Sequence, residues 1–254
     1  MDRGGVVQDK GIFVMPFDQH ASESRLMGAL TPLQLLSLHP YLSVLTPCEA
    51  ATLLTRAVVK RFPAGRVVFQ QEERCDGLYG VLTGRVAFNI ATHDGKTLLI
   101  NIAKRGETFG DISLLDGKGH LTTALARDAS ELLFIPRREF MAIVSRRPDM
   151  MLQIMEHLCG RLRGFASDIA DLAYMDTSRR LARQLVALST DDGEGPEPSV
   201  LVSQAELASM LGLSREHVSR KLIAWSDQGI LEQKRGRIIV RNAEALEQIA
   251  AARD

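Results

Sequence analysis

Gln204 to Ile223 read QAELASMLGLSREHVSRKLI. Leu207, Ala208 and Leu211 recur at helical spacing and fall on one face of a first helix, which Gly212 ends. Leu213, Val218 and Leu222 supply the inner face of a second helix. A three-residue turn between crossing helices needs a residue that takes positive φ without a Cβ clash, and Gly212 stands there. Ala208 is small where the two helices must approach closely. Ser214 is placed as the N-cap of the second helix. The stretch therefore predicts a helix-turn-helix.

The outward stripe of the second helix carries Arg215, Glu216, Ser219 and Arg220. Two guanidinium groups, a carboxylate and a hydroxyl share one face. Arginine can grip O6 and N7 of guanine with two hydrogen bonds, and glutamate can accept from cytosine N4, so the set suits major-groove edges. Its position in the N-terminal half of the helix is where recognition helices meet bases. From Ser203 to Arg241 seven basic residues stand against four acidic ones, a local excess of three. Lys234, Arg235 and Gly236 read as the tip of a two-stranded wing between ILEQ and RIIVR. That tip is expected to touch phosphates, which adds affinity without sequence choice, and Ser203 and Ser214 complete the expected DNA-binding set.

Working outward, TDDGEGPEPS (190–199) is an acidic, Gly/Pro-rich loop that hides the local basic excess from the whole-chain balance. Asp176 to Leu188 predicts a helix. A longer one runs from about Pro148 to Met175, with Met151, Ile154, Met155, Leu158, Leu162, Phe165, Ile169, Leu172 and Met175 three or four apart. A buried core helix accounts for such a stripe. A two-stranded coiled coil between two copies of the chain also accounts for its length, and that is the preferred reading.

Between Val58 and Ile135 the texture changes to short β-rich runs: RVVFQ, GLYGVLTG, RVAFNIA, TLLINIA, TTALA and ELLFI. Turn residues separate them, Asp94-Gly95 reading as a hairpin turn, so an all-β roll or barrel is expected. Arg137 to Ser145 predicts a short helix, and Thr31 to Leu54 two or three short helices broken by Pro40 and Pro47. Residues 1–28 carry no sustained period and read as a mobile lead-in.

Composition narrows the class. The 254 residues are 45% hydrophobic and 24% charged, with 31 basic against 31 acidic side chains, which suits a soluble globular protein of one or two domains. No run approaches the roughly 18 apolar residues of a membrane span, and the N-terminus lacks a signal-peptide core. Cys48, Cys75 and Cys159 form neither a disulfide framework nor a C-x-x-C motif. A cytoplasmic location without membrane contact is the expectation. No P-loop, G-x-S-x-G or H-E-x-x-H motif appears, and the six histidines are dispersed, which argues against an enzyme and names no catalytic residue or metal ligand.

The order β-roll, long helix, winged helix-turn-helix resembles the CRP/FNR family of bacterial transcription regulators. The resemblance covers about Leu30 to Arg241 and is specific in GLYGVLTGRVAFNI, GETFGDISLL, GRLRGFASDIADLAYMDTSRRLARQLVAL and the Gln204–Ile223 motif. It implies an α+β fold: a lead-in at 1–28, a cyclic-nucleotide-binding-type roll at 29–147, a dimerisation helix at 148–176 and a DNA-binding domain at 177–254. It also implies a homodimer on a palindromic operator, with RNA polymerase as a partner. Arg215, Glu216, Ser219 and Arg220 follow the family's R-E-x-x-[GS]-R pattern in the version associated with TGA-core half-sites.

For the effector pocket, the resemblance points to Gly110, Asp111, Ile112, His120, Leu121, Thr122, Thr123 and Phe165. The family's Gly-Glu pair appears as Gly110-Asp111. His120 or Leu121 falls where a phosphate-clamping Arg is expected, and Phe165-Ala166 replaces the hydroxyl pair for the base. Thr122 and Thr123 offer hydroxyls. A cyclic nucleotide stays a candidate effector, but with degraded contacts, and no cofactor is required. The alternatives are a cyclic-nucleotide-binding regulatory subunit, and a haem or gas sensor of the same family using Cys75 or His93. The absence of cysteine from residues 1–30 argues against an iron–sulfur cluster.

Overall fold

The computed structural model describes residues 29–91, 97–189, 198–234 and 237–251. The lead-in, the Asp94-Gly95 turn, His93, the acidic loop at 191–197 and Arg235-Gly236 lie outside the described residues. The described chain falls into two units, one ending at Phe165 and the other starting at Ala166.

The first unit opens with two short helices, α1 (Pro32–Leu38) and α2 (Pro47–Arg56). Each starts with proline behind a threonine cap: Thr31 with Gln34 and Thr46 with Glu49 form reciprocal capping boxes, which satisfy backbone donors that a short helix leaves bare. Eight strands follow: β1 (Val58–Phe62), β2 (Val67–Phe69), β3 (Gly77–Thr83), β4 (Val86–Ala91), β5 (Thr97–Ala103), β6 (Thr108–Phe109), β7 (Thr123–Ala126) and β8 (Ser130–Pro136). They pair antiparallel in two four-stranded sheets, ordered β1-β8-β3-β6 and β2-β7-β4-β5.

Strand alternation explains the layers. Tyr79 and Val81 of β3 and Leu132 of β8 join Phe69, Phe88, Phe109 and Ala124 in a core between the sheets. Leu78, Leu82, Leu133 and Ile135, on the opposite face of the same strands, pack under α1 and α2 in a second core. That core also takes Leu114 of α3 (Asp111–Asp116), Phe140 of α4 (Arg137–Val144), and Met150 and Ile154 of α5 (Pro148–Tyr174). Both faces of β3 are thus buried, which is why GLYGVLT shows a continuous apolar texture. Strand β6 is only two residues long, too short for periodicity to announce it.

The single apolar stripe expected along α5 is in fact two faces. Met150 and Ile154 are buried and Leu158 packs against them, whereas Leu152, Met155, Leu162 and Ile169 are 57, 48, 67 and 56% exposed. Cys159 and Ala166 are exposed as well. Leu152, Met155, Cys159, Leu162, Ala166 and Ile169 repeat at steps of three and four, the spacing of a coiled-coil seam.

The second unit contains α6 (Thr177–Leu188), β9 (Ser199–Val200), α7 (Gln204–Leu211), α8 (Arg215–Asp227), β10 (Leu231–Lys234), β11 (Arg237–Val240) and α9 (Ala243–Ala251). Strands β10, β11 and β9 form a small antiparallel sheet in that order. Leu207, Ala208, Leu211, Val218, Leu222 and Trp225 are buried between the helices and this sheet.

Candidate nucleic-acid interface and effector site

The geometry of α7 and α8 follows from local chemistry. Gly212 takes φ 64° at the end of α7, and the Leu213 N–H donates back to the Ala208 carbonyl at 2.9 Å. Ser214 caps α8 by accepting from the His217 N–H at 3.2 Å. With Val218, Leu222 and Trp225 turned inward, Arg215, Glu216 and Arg220 are exposed and Ser219 half-buried on the opposite face.

His217, between these outward residues, faces the protein. Its Nε2 lies 2.9 Å from the Thr177 hydroxyl at the start of α6. Arg180 donates to the Leu211 carbonyl at 2.7 Å, a second tie from α6 to the helix pair. The α6 cap, Asp176, accepts from the N–H groups of Arg179 and Ser178; these bonds, with help from Lys221 on α8, hold its carboxyl below the usual range.

Ser203, Gln204, Arg215, Gln233, Lys234 and Arg237 line a cleft of about 260 Å³ where α7 begins beside the wing. The Ser203 hydroxyl is engaged in a capping box, accepting from the Glu206 N–H and donating to the Glu206 carboxylate at 2.7 Å. Gln233 uses both ends of its amide. Its Oε1 accepts from Gln204 at 2.8 Å and its Nε2 donates to Ser226 of α8 at 3.2 Å. The Ser226 hydroxyl in turn donates to the Leu222 carbonyl at 2.8 Å. The wing strand is thereby bonded to both helices. Lys234 sits 3.3 Å from Glu232, which also pairs with Arg241, so part of the wing's positive charge is balanced along its own strand. Those pairings hold the Glu232 carboxyl below its ordinary value, Arg241 contributing most. Gln233 and the Thr177–His217 tie have no motif signature, and Arg237 was visible in sequence only as one more positive charge.

The roll residues are committed differently. Asp111, in α3 behind the left-handed Gly110 (φ 89°), is buried and accepts from Arg161 of α5 at 2.8 Å; the two side chains are 8 and 7% exposed. A buried charge survives only with a partner of this kind. Arg161 escaped the motif reading, although it stands on the Ile154–Leu158 face, where a cation needs a buried acid. Around this pair, Tyr41 is fully buried, and His39 lies beneath it with Nε2 2.6 Å from the Thr108 hydroxyl. Burial, then the charge on His157, lower the His39 pKa to about 3. The Nδ1 of His39 is buried without a hydrogen-bond partner.

His120 stands at a position where the family resemblance places a phosphate-clamping Arg, and it does not act as a free cation. Instead its ring is buried and stacked on Phe69, centroids 3.5 Å apart and planes within 7°. Burial lowers its pKa, outweighing the opposing influence of Glu73 and Asp76, so the ring is neutral near neutral pH. Leu121 is 52% exposed, Thr122 is buried, and the Thr123 hydroxyl accepts from the Gln71 N–H at 3.0 Å. Gly110, Ile112 and Phe165 are half-buried. Tyr79 and Phe109 stack behind His120's partner Phe69. A cyclic phosphodiester needs a fixed cation or several donors. The residues at the clamp positions supply a neutral imidazole and a leucine, and so do not fit it in the usual way. Cys75 is buried in the second core, and its thiol is pushed up chiefly by burial, as expected for a packing residue.

Residues 59–147 match the Cyclic nucleotide-binding domain family and residues 179–249 the Crp-like helix-turn-helix domain family. The chain is 30% identical over 211 residues to the cyclic AMP receptor protein of Thermus thermophilus, an alignment spanning 83% of this chain and 96% of that one. The chain belongs to the CRP/FNR family. Another relative, the CRP-like cAMP-activated global transcriptional regulator of Mycobacterium tuberculosis, is 26% identical over 204 residues, covering 79 and 91% of the two chains. The fold matches that of FixK2 from Bradyrhizobium japonicum with a TM-score of 0.67 at 24% identity, covering 78% of this chain and 99% of that one. This CRP/FNR protein is accordingly a DNA-binding transcription regulator with a cyclic-nucleotide-binding-type sensor domain, not an enzyme.

Proposed function

We propose that the protein is a cytoplasmic homodimeric regulator that reads a palindromic operator with one α8 per half-site. The observation that carries this reading is the exposed stripe of Arg215, Glu216 and Arg220 beside the basic cleft. Arg220 and Arg215 would take guanine edges and Glu216 a cytosine amino group, consistent with a TGA-core half-site. Arg237, Lys234 and the α7 N-terminus at Ser203–Gln204 would meet phosphates. The exposed apolar seam of α5, within the segment 148–176, supports pairing of two copies, with half-sites about 34 Å apart. RNA polymerase is the partner such a regulator would address at a promoter.

The sensor at 29–147 works in this proposal without the usual cyclic-AMP contacts, because Asp111 is bound to Arg161 and His120 is neutral and stacked. An effector acts only through a difference in affinity for the DNA-competent and incompetent states, and the roll's own side chains already fill those contacts.

The test is fluorescence anisotropy of a TGA-containing palindromic duplex, titrated with protein alone and with cyclic AMP or cyclic GMP. Tight binding by two chains per duplex, unchanged by nucleotide, is expected. Arg220→Ala should lower affinity about 10- to 100-fold while leaving the dimer intact, and Leu162→Glu should yield monomers by sedimentation. Binding that requires nucleotide would overturn the proposed state of the roll. Unchanged affinity of Arg220→Ala would overturn the assignment of α8.

A further inference from the structure

The inner face of α8 is accounted for by Val218, Leu222 and Trp225, and the outer face by charged and hydroxyl side chains, apart from the small Ala224 and one large apolar residue. Ile223 is 51% exposed. It lies seven residues after Glu216, four after Ser219 and three after Arg220, so it continues their stripe toward the C-terminal end of the helix. A lone exposed aliphatic side chain elsewhere on a surface needs no explanation. Here it extends a row whose other members are all able to hydrogen-bond a base edge.

We infer that Ile223 is a specificity-determining residue that packs on the 5-methyl group of a thymine. This rests on the proposed reading of α8. Distances along the helix allow it: the rise of about 1.5 Å per residue puts Ile223 about 4.5 Å beyond Arg220, on the order of one base pair along the groove. The chemistry selects the base. Thymine alone presents an apolar group in the major groove. An isoleucine set against cytosine N4, adenine N6 or a phosphate would strip water from a polar group and return no hydrogen bond. Thymine therefore belongs next to the guanine that Arg220 takes, at one position in each half-site.

The experiment uses the full chain. The preferred duplex is first selected from a randomised duplex pool by the wild-type protein and, separately, by Ile223→Ala. In the wild-type duplex each thymine is then replaced, one at a time, by deoxyuridine, which removes only the methyl group. At one thymine per half-site the wild-type protein should lose about fourfold in affinity, the worth of one methyl group moved out of water. Ile223→Ala should bind the two duplexes equally, and its selected sequence should relax at that position while keeping the guanine. Wild-type affinity unchanged by every deoxyuridine overturns the inference, as does a methyl effect that persists undiminished in Ile223→Ala. Arg220→Ala on the same duplex separates the levels: if it loses affinity while the methyl effect is missing, α8 still reads DNA and only the role of Ile223 falls.

Discussion

The roll and the helix-turn-helix use charged side chains in opposite ways. In the roll, Asp111 and Arg161 are spent on one another in the interior, His39 leans on Thr108, and His120 lies flat against Phe69. In the C-terminal unit, Arg215, Glu216 and Arg220 stand in solvent on a helix whose inner face does all the packing. A buried charge is bound to one partner and contributes rigidity; an exposed one keeps its hydrogen bonds for whatever docks. In the proposed reading, this contrast lets a domain of the cyclic-nucleotide-binding type sit in this chain with Asp111 and His120 already engaged by the roll's own side chains.

Removing a partner inside the roll should break the comparison most severely. Asp111→Ala strips the buried Arg161 of its carboxylate and should lower the unfolding free energy by about 3–5 kcal/mol, measured by urea denaturation. A paired replacement, Asp111→Leu with Arg161→Met, should recover most of that loss. If the single variant is as stable as the parent, the ion pair is not holding α3 to α5.

Acidification probes the same interior. His39 has its pKa lowered from 6.5 to about 3, so the folded state keeps it neutral while the unfolded chain takes up a proton below 6.5. Its contribution is present above pH 6.5 and is lost as the pH falls toward 3, at about 1.4 kcal/mol per pH unit. Stability measured at pH 7, 6, 5 and 4 should fall less steeply for His39→Asn than for the parent. Equal slopes would refute this role for His39.

A smaller effect is expected where the C-terminal unit does turn a polar group inward. Thr177→Val deletes the hydroxyl that meets His217 and should cost about 1 kcal/mol of stability. Operator affinity should drop several-fold, because α8 loses one of its ties to α6. A variant that loses stability but binds the operator as before would make that tie purely structural.

The two regions also differed in how far they could be read from sequence. Everything that shapes the helix-turn-helix is local: the serine caps, Gly212 and both helix faces lie within Ser203–Trp225, so periodicity and turn chemistry sufficed. In the roll the decisive pairings are distant. Asp111 meets Arg161 across fifty positions, and only closure of the sheets under α5 brings them together. Phe69, at the end of β2, and His120, in the segment before β7, likewise lie far apart in sequence, and the neutrality of His120 depends on a burial that no motif records. The α5 stripe misled for another reason. Two apolar faces about a third of a turn apart merge into one run of apolar letters when only three- and four-residue steps are counted.

Those two faces impose a condition on the length of α5. Met150, Ile154, Leu158 and Arg161 turn toward the roll core, while Leu152, Met155, Cys159 and Leu162 stay outside it. The two sets interleave, so a single residue inserted after Leu158 would rotate everything downstream by about 100°. Arg161 would swing away from Asp111 in the same stroke that dislocates the outer seam. The helix therefore behaves like a reading frame: insertions of one or two residues scramble both faces together, and a whole heptad restores their phase to within about 20° while still carrying Arg161 about 10.5 Å along the axis, out of reach of Asp111.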